Sequence, residues 1–170
     1  FGKGSFDYVK GGGGSGDVTV SYVHNLYDGF QMLHDAVSLY EPLCDFYRAN
    51  VNEQYDQGSV PGMTTEPALS AELLAGASAY TDTAVIVLSR FSGEGWDRSS
   101  IEYNGEYNPW ETETSMPKIS GEIFPDGDFY LTKEESAMIA QVKQHFSRIA
   151  VVLNIGGIID TSWIKNDDQI

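Results

Sequence analysis

Apolar residues fall into two unbroken runs and several spaced stripes, and the two patterns predict different elements. Thr83-Ala84-Val85-Ile86-Val87-Leu88-Ser89 and Ile149-Ala150-Val151-Val152-Leu153-Asn154-Ile155 are runs of strand length. Such runs suit strands buried on both faces of a parallel sheet. Between them, Thr132 with Glu135 three residues on has the form of a capping box, and Met138, Ile139, Val142 and Phe146 supply an apolar stripe for the helix that follows. Strand, helix, strand is a βαβ unit, which predicts a parallel sheet.

Helical spacing also recurs earlier in the chain. Asp17 reads as a helix start followed by Tyr22, Val23, Leu26, Tyr27, Phe30 and Leu33. A second helix is predicted from about Tyr40 to Tyr55, with Pro42 in its first turn. Residues 57–67 read as a linker, punctuated by Gly58, Pro61, Gly62 and Pro67, and Ser70 caps a short helix through about Ala79. Residues 1–17 read as a glycine-rich loop around a short extended piece, and residues 90–129 as irregular. Two strands do not make a stable parallel sheet. The chain also opens within a loop and stops where another element should begin. The expectation is an α/β segment, residues 1–170, of a larger protein with further strands on both sides.

Composition narrows the function classes. The 170 residues carry 10 Lys and Arg against 25 Asp and Glu, a formal charge of −15 that repels a phosphate backbone and an anionic membrane surface. Neither nucleic acid nor membrane is expected as a partner. No apolar run is long enough to span a bilayer. Cys44 is the sole cysteine, so no internal disulfide and no thiolate metal cluster can form. That leaves localisation open, since a cytoplasmic protein and a secreted enzyme without disulfides both fit. His24, His34 and His145 lack ligand-like spacing, so no metal site is expected.

Three segments carry candidate chemistry. Gly11-Gly12-Gly13-Gly14-Ser15-Gly16 matches the dinucleotide fingerprint, with Asp35 at roughly the distance of a ribose-binding acid. The match is cheap, because five glycines around one serine satisfy many patterns and no strong buried strand runs into the loop; it reads also as a flexible turn, or as a loop that brings backbone and Ser15 close to a ligand. There is no Walker lysine. Ser15, His24 and Asp28 have the residue types of a hydrolase triad but no nucleophile elbow. Ser92-Gly93-Glu94-Gly95-Trp96-Asp97-Arg98 follows the carboxyl end of the first strand, where open α/β sheets place ligands. Its glycines can present Glu94 outward, and Trp96 offers a flat face for stacking on a sugar ring. Nearby apolar surface would keep Glu94 protonated near neutral pH. Position alone also fits an acidic surface loop held by Asp97 and Arg98.

Four pieces in one order change the weighing. Gly13-Gly14-Ser15-Gly16-Asp17, Ser89 through Arg98, Gly127-Asp128-Phe129-Tyr130-Leu131, and Val151 through Asp160 together resemble the second domain of glycoside hydrolase family 3, the β-glucosidase type. The resemblance covers nearly the whole chain. It implies a three-layer αβα sandwich with a mainly parallel sheet, beside a (β/α)8-type barrel that carries the aspartate nucleophile. It also implies a carbohydrate substrate, a retaining mechanism and no cofactor. Glu94 maps onto the acid/base glutamate, and Ser15 onto a serine that contacts sugar in the first subsite. Asp17, Asp97 and Arg98 map onto loop-shaping positions. A retaining pair needs two carboxyl groups roughly 5 Å apart, and no barrel or S-D-W-type nucleophile signature occurs in these 170 residues. The chain is therefore expected to supply the proton donor of a β-glucosidase and not the nucleophile. The alternative is a sandwich that binds sugar or partner without catalysis.

Residues 99–126 form a longer stretch than in the plainest family members, with Tyr103, Tyr107, Trp110 and Phe124. They read as a flap lining the aglycone side or as a surface excursion whose aromatics cover the sandwich.

Overall fold

The computed structural model describes residues 1–91, 93 and 116–170, with the side chains of 116–119 outside the description. Strands β1 (Thr83–Arg90) and β2 (Arg148–Ile155) pair in parallel, from Thr83 opposite Arg148 to Arg90 opposite Ile155. The alternation of side chains puts Ala84, Ile86 and Leu88 on one face with Ile149, Val151 and Leu153. That face forms the core with Leu43 and Tyr47 of helix α2 (Glu41–Asp56), Leu74 and Ala77 of α3 (Ala71–Tyr80), and Met138, Ile139 and Val142 of α5 (Lys133–His145). Tyr47, Ile86, Val87, Leu88 and Val142 are buried almost completely. The other face carries Val85, Val87 and Ser89 beside Ala150, Val152 and Asn154.

Local signals explain where the helices begin. Ser70 Oγ accepts from the Leu73 N–H at the start of α3, and Thr132 and Glu135 form the expected capping box at the start of α5. At the far end of α5, the Gln169 amide donates to the carbonyls of Lys143 and Phe146, groups that a helix terminus leaves without internal partners.

The first predicted helix is much shorter than its spacing suggests. Only Leu26–Gln31 is helical (α1), opened by a capping box between Asn25 and Asp28. Val18, Val20, Tyr22 and Val23 lie in non-helical chain and are exposed, so the apolar spacing there has no core to face. Helix α4 (Met116–Ile123) falls inside the stretch expected to be irregular. Its Pro117 and Gly121 are poor helix residues, which hid it from the pattern.

Phe1 extends the sheet on the side of β1 away from β2. Its backbone N donates to the Val85 carbonyl at 2.8 Å, and the Val87 N–H donates to the Phe1 carbonyl at 2.9 Å. A buried polar cluster then ties this first segment to the 57–67 linker. The Asp7 carboxylate accepts from Tyr55 Oη at 2.6 Å, from the Gly62 N–H at 2.5 Å and from Thr64 Oγ1 at 2.5 Å, and it pairs with Lys3 at 3.3 Å. A cavity of about 310 Å³ opens beside Phe1, Leu43, Tyr80, Thr83 and Phe146, at the amino end of β1 and so away from the motif loops. No described helix is long and apolar enough to cross a membrane.

Candidate active site

The site is built at the carboxyl ends of β1 and β2. Arg90, the last residue of β1, has no exposed surface and sits against Glu135, which is 1% exposed. Its guanidinium donates to both Glu135 oxygens, at 2.7 and 2.6 Å, the two-pronged geometry that makes such pairs strong. It also donates to the carbonyls of Asp128 at 3.1 Å and Tyr130 at 3.0 Å, and lies 4.4 Å from the centre of the Phe124 ring. Burial alone would raise the Glu135 pKa, but the charge and hydrogen bonds of Arg90 outweigh it and hold the carboxyl below its usual range. Residues 127–131 are thereby tethered to the strand end from which the Glu94 segment departs.

Three residues after Arg90, Gly93 forms a parallel backbone bridge with Gly13. Phe91 is wedged at the base of this contact. A Cβ on Gly13 would lie 3.1 Å from the Phe91 ring, and one on Gly62 would lie 2.7 Å from Phe91 Cβ. Gly62 also has a φ of +82°, a backbone state that other residues avoid.

The glycine loop continues from this bridge. Gly14 takes a φ of +81°, residues Gly14–Gly16 make a single 3₁₀ turn, and the Asp17 N–H closes it onto the Gly14 carbonyl at 3.0 Å. Lys10 spans the mouth of the loop, pairing with Asp17 at 2.6 Å and donating to the Val18 carbonyl. Ser15 is exposed at the apex. At the loop's stem, Asn154 of β2 grips Val9: its side-chain oxygen accepts the Val9 N–H at 2.7 Å and its side-chain nitrogen donates to the Val9 carbonyl at 3.1 Å.

Over all of residues 1–170 the sequence matches the model of the glycosyl hydrolase family 3 C-terminal domain. The chain belongs to glycosyl hydrolase family 3. It is 51% identical to β-glucosidase A of Butyrivibrio fibrisolvens, over 100% of this chain and 20% of that protein. It is 29% identical to a β-glucosidase of Ruminococcus albus, over 96% of this chain and 15% of that protein. The family 3 chain thus spans a fifth or less of the length of these relatives. The structure of β-glucosidase 3B from Thermotoga neapolitana in complex with glucose superposes with a TM-score of 0.73 at 25% identity, covering 98% of this chain and 21% of that one. A β-glucosidase from Paenibacillus barengoltzii gives 0.69 at 25% identity, covering 98% and 16%. The layered α/β fold with a parallel sheet expected from the sequence is the one shared with these family 3 enzymes.

Within this family 3 domain the two glycine motifs meet. The Ser15 loop and the segment leading to Glu94 are joined through Gly13 and Gly93. Glu94 and Trp96 themselves, with Asp97, Arg98 and the aromatic residues Tyr103, Tyr107 and Trp110, lie outside the described residues. Phe124 of the same stretch is described, and it is buried against Arg90 rather than presented to solvent.

The other sequence readings resolve against chemistry. The glycine loop neither follows a strand nor opens a helix, because extended chain runs from it to α1, so the dinucleotide geometry is absent. Asp35 is exposed beside His34. Asp28 is used as a helix cap, and His24 stacks near Tyr22, so no triad forms with Ser15. Among the described residues no cluster of His, Cys, Asp and Glu is placed to hold a metal. Sequence reasoning missed the Arg90–Glu135 pair and the Asn154 clamp. Asn154 lies inside the piece from Val151 through Asp160, yet its partner is 145 residues away.

Proposed function

We propose that this chain is the acid/base-bearing domain of a retaining β-glycosidase, acting on terminal β-glucosyl residues. Glu94 protonates the departing glycosidic oxygen. It then takes a proton from the water that attacks the covalent glycosyl–enzyme intermediate. The aspartate nucleophile comes from a (β/α)8-type barrel elsewhere in the same protein, so residues 1–170 alone do not turn over glycosides. Ser15 contacts the sugar in the first subsite and Trp96 stacks against it.

The observation that supports this reading most is the Gly13–Gly93 bridge. It brings the serine-bearing loop to the residue immediately before Glu94, at the carboxyl end of a parallel strand where such sheets hold ligands. A sandwich that only bound sugar would have no need of an acid at this point.

The test is Glu94→Ala in the full-length protein. Loss of the proton donor should lower kcat/KM on natural glucosides by about 10²- to 10⁴-fold. Aryl glucosides whose leaving groups depart without protonation should lose far less in kcat/KM, which reports the glycosylation step. Equal losses on both substrate types, or no loss on either, would rule out the acid/base role.

A further inference from the structure

We propose that Asn154 is the positioning residue that sets the register of the Ser15 loop against the Glu94 segment, and so controls sugar binding. The proposal rests on the reading that this loop contacts the sugar.

Residues 11–14 are four consecutive glycines and own no side chain that could lock them in place. Their position must be imposed from outside. The Lys10–Asp17 pair is half exposed on both sides, and such pairs contribute little. Asn154 is different. It satisfies both the N–H and the C=O of a single residue, Val9, as a neighbouring strand would. Asn154 also stands opposite Ser89 in the β1–β2 ladder. Gly13 is four residues beyond Val9, and Gly93 is four residues beyond Ser89. The clamp therefore ties the start of one loop to the sheet at the level where the other loop's count begins. A slip of one residue at Val9 would displace Gly13 from Gly93 by roughly 3.3 Å, the rise of one extended residue, and would carry Ser15 with it. The carboxamide is required because it donates and accepts at once.

The experiment uses the full-length protein with glucose as the binding probe. In Asn154→Asp the side chain still accepts from the Val9 N–H, but it donates to the Val9 carbonyl only when protonated. At pH 7.5 this variant should raise KM and the glucose inhibition constant by about tenfold, the worth of one hydrogen bond lost with a repulsion added, while kcat changes little. At pH 5 the gap from wild type should narrow. Asn154→Leu lacks both bonds and should stay weak at both pH values. Combining Asn154→Asp with Ser15→Ala should weaken glucose binding by less than the product of the single effects, because both act through one loop.

Folded Asn154→Asp and Asn154→Leu proteins that bind glucose as wild type does would overturn the proposal. So would a loss of kcat at unchanged KM, which places the effect on the chemical step rather than on sugar binding, or a loss of fold in the isosteric Asn154→Asp, which marks Asn154 as merely structural. Ser15→Ala separates the two levels of the argument. If it leaves glucose binding intact, the underlying reading of the loop fails. If it weakens binding while the Asn154 variants do not, the clamp alone fails.

Discussion

Glu66 is 6% exposed, and its carboxyl accepts from the Lys3 N–H and from the Tyr47 hydroxyl, each at 2.8 Å. Burial is the main cause that pushes its pKa up to about 7; those two hydrogen bonds and the Lys3 charge oppose it, and the Glu135 carboxylate adds to it. The folded state therefore binds this proton more tightly than the unfolded chain. No penalty exists below the unfolded pKa, the penalty grows as pH rises toward 7, and it is complete above. Glu66→Gln should raise the thermal midpoint of the full-length protein at pH 8 and give little gain at pH 4.5. Equal shifts at both pH values would refute this account of Glu66. Glu135 behaves in the opposite sense. Its lowered pKa contributes stability above the unfolded carboxyl range and is lost as pH falls through the folded value. Glu135→Gln leaves the buried Arg90 charge without its counter-charge and should cost about 3–5 kcal/mol by denaturant unfolding. An effect below about 1 kcal/mol would show that the pair is not the buried lock described.

Elements whose cause is local were legible in the sequence. Both strands were visible because unbroken apolar runs have few alternatives, and α3 and α5 because Ser70 and Thr132 announce their own caps. The first helix was overextended because spacing reports a potential apolar face and says nothing of whether a core waits for it. Tyr22 and Val23 keep the spacing and remain exposed. Helix α4 was hidden by its proline and glycine. The site divided in the same way. Its glycine loops could be read from composition, whereas Asn154 gripping Val9 and Arg90 reaching Glu135 depend on distant chain and had no local signal. Gly62 belongs to this second group, because its role appears only when Phe91 and Val9 are seen beside it. Gly62→Ala combines a positive φ with Cβ contacts of 2.7 Å to Phe91 and 2.9 Å to Val9. It should destabilise by about 1–3 kcal/mol and, by shifting the bases of both loops, lower kcat/KM for glucosides. Unchanged kinetics in a folded variant would show that the loop bases tolerate movement.

At the scale of the whole molecule, the chain spans a fifth or less of its β-glucosidase relatives, and in the proposed mechanism it contributes one carboxyl of a pair whose other member lies elsewhere in the protein. The formal charge of −15 disfavours polyanions and leaves a neutral or cationic ligand. In the proposed mechanism Glu94 serves both as acid and as base. Azide tests it most directly, because this anion attacks an anomeric carbon without needing a base to deprotonate it. In Glu94→Ala full-length protein, supplied with an aryl β-glucoside whose leaving group departs unaided, the covalent intermediate should accumulate and azide should restore turnover. Azide displaces the enzyme carboxylate at the anomeric carbon, so the product should be β-glucosyl azide, identifiable by NMR. Absence of rescue, or an α-glucosyl azide, would contradict the assignment of Glu94 and the retaining mechanism built on it.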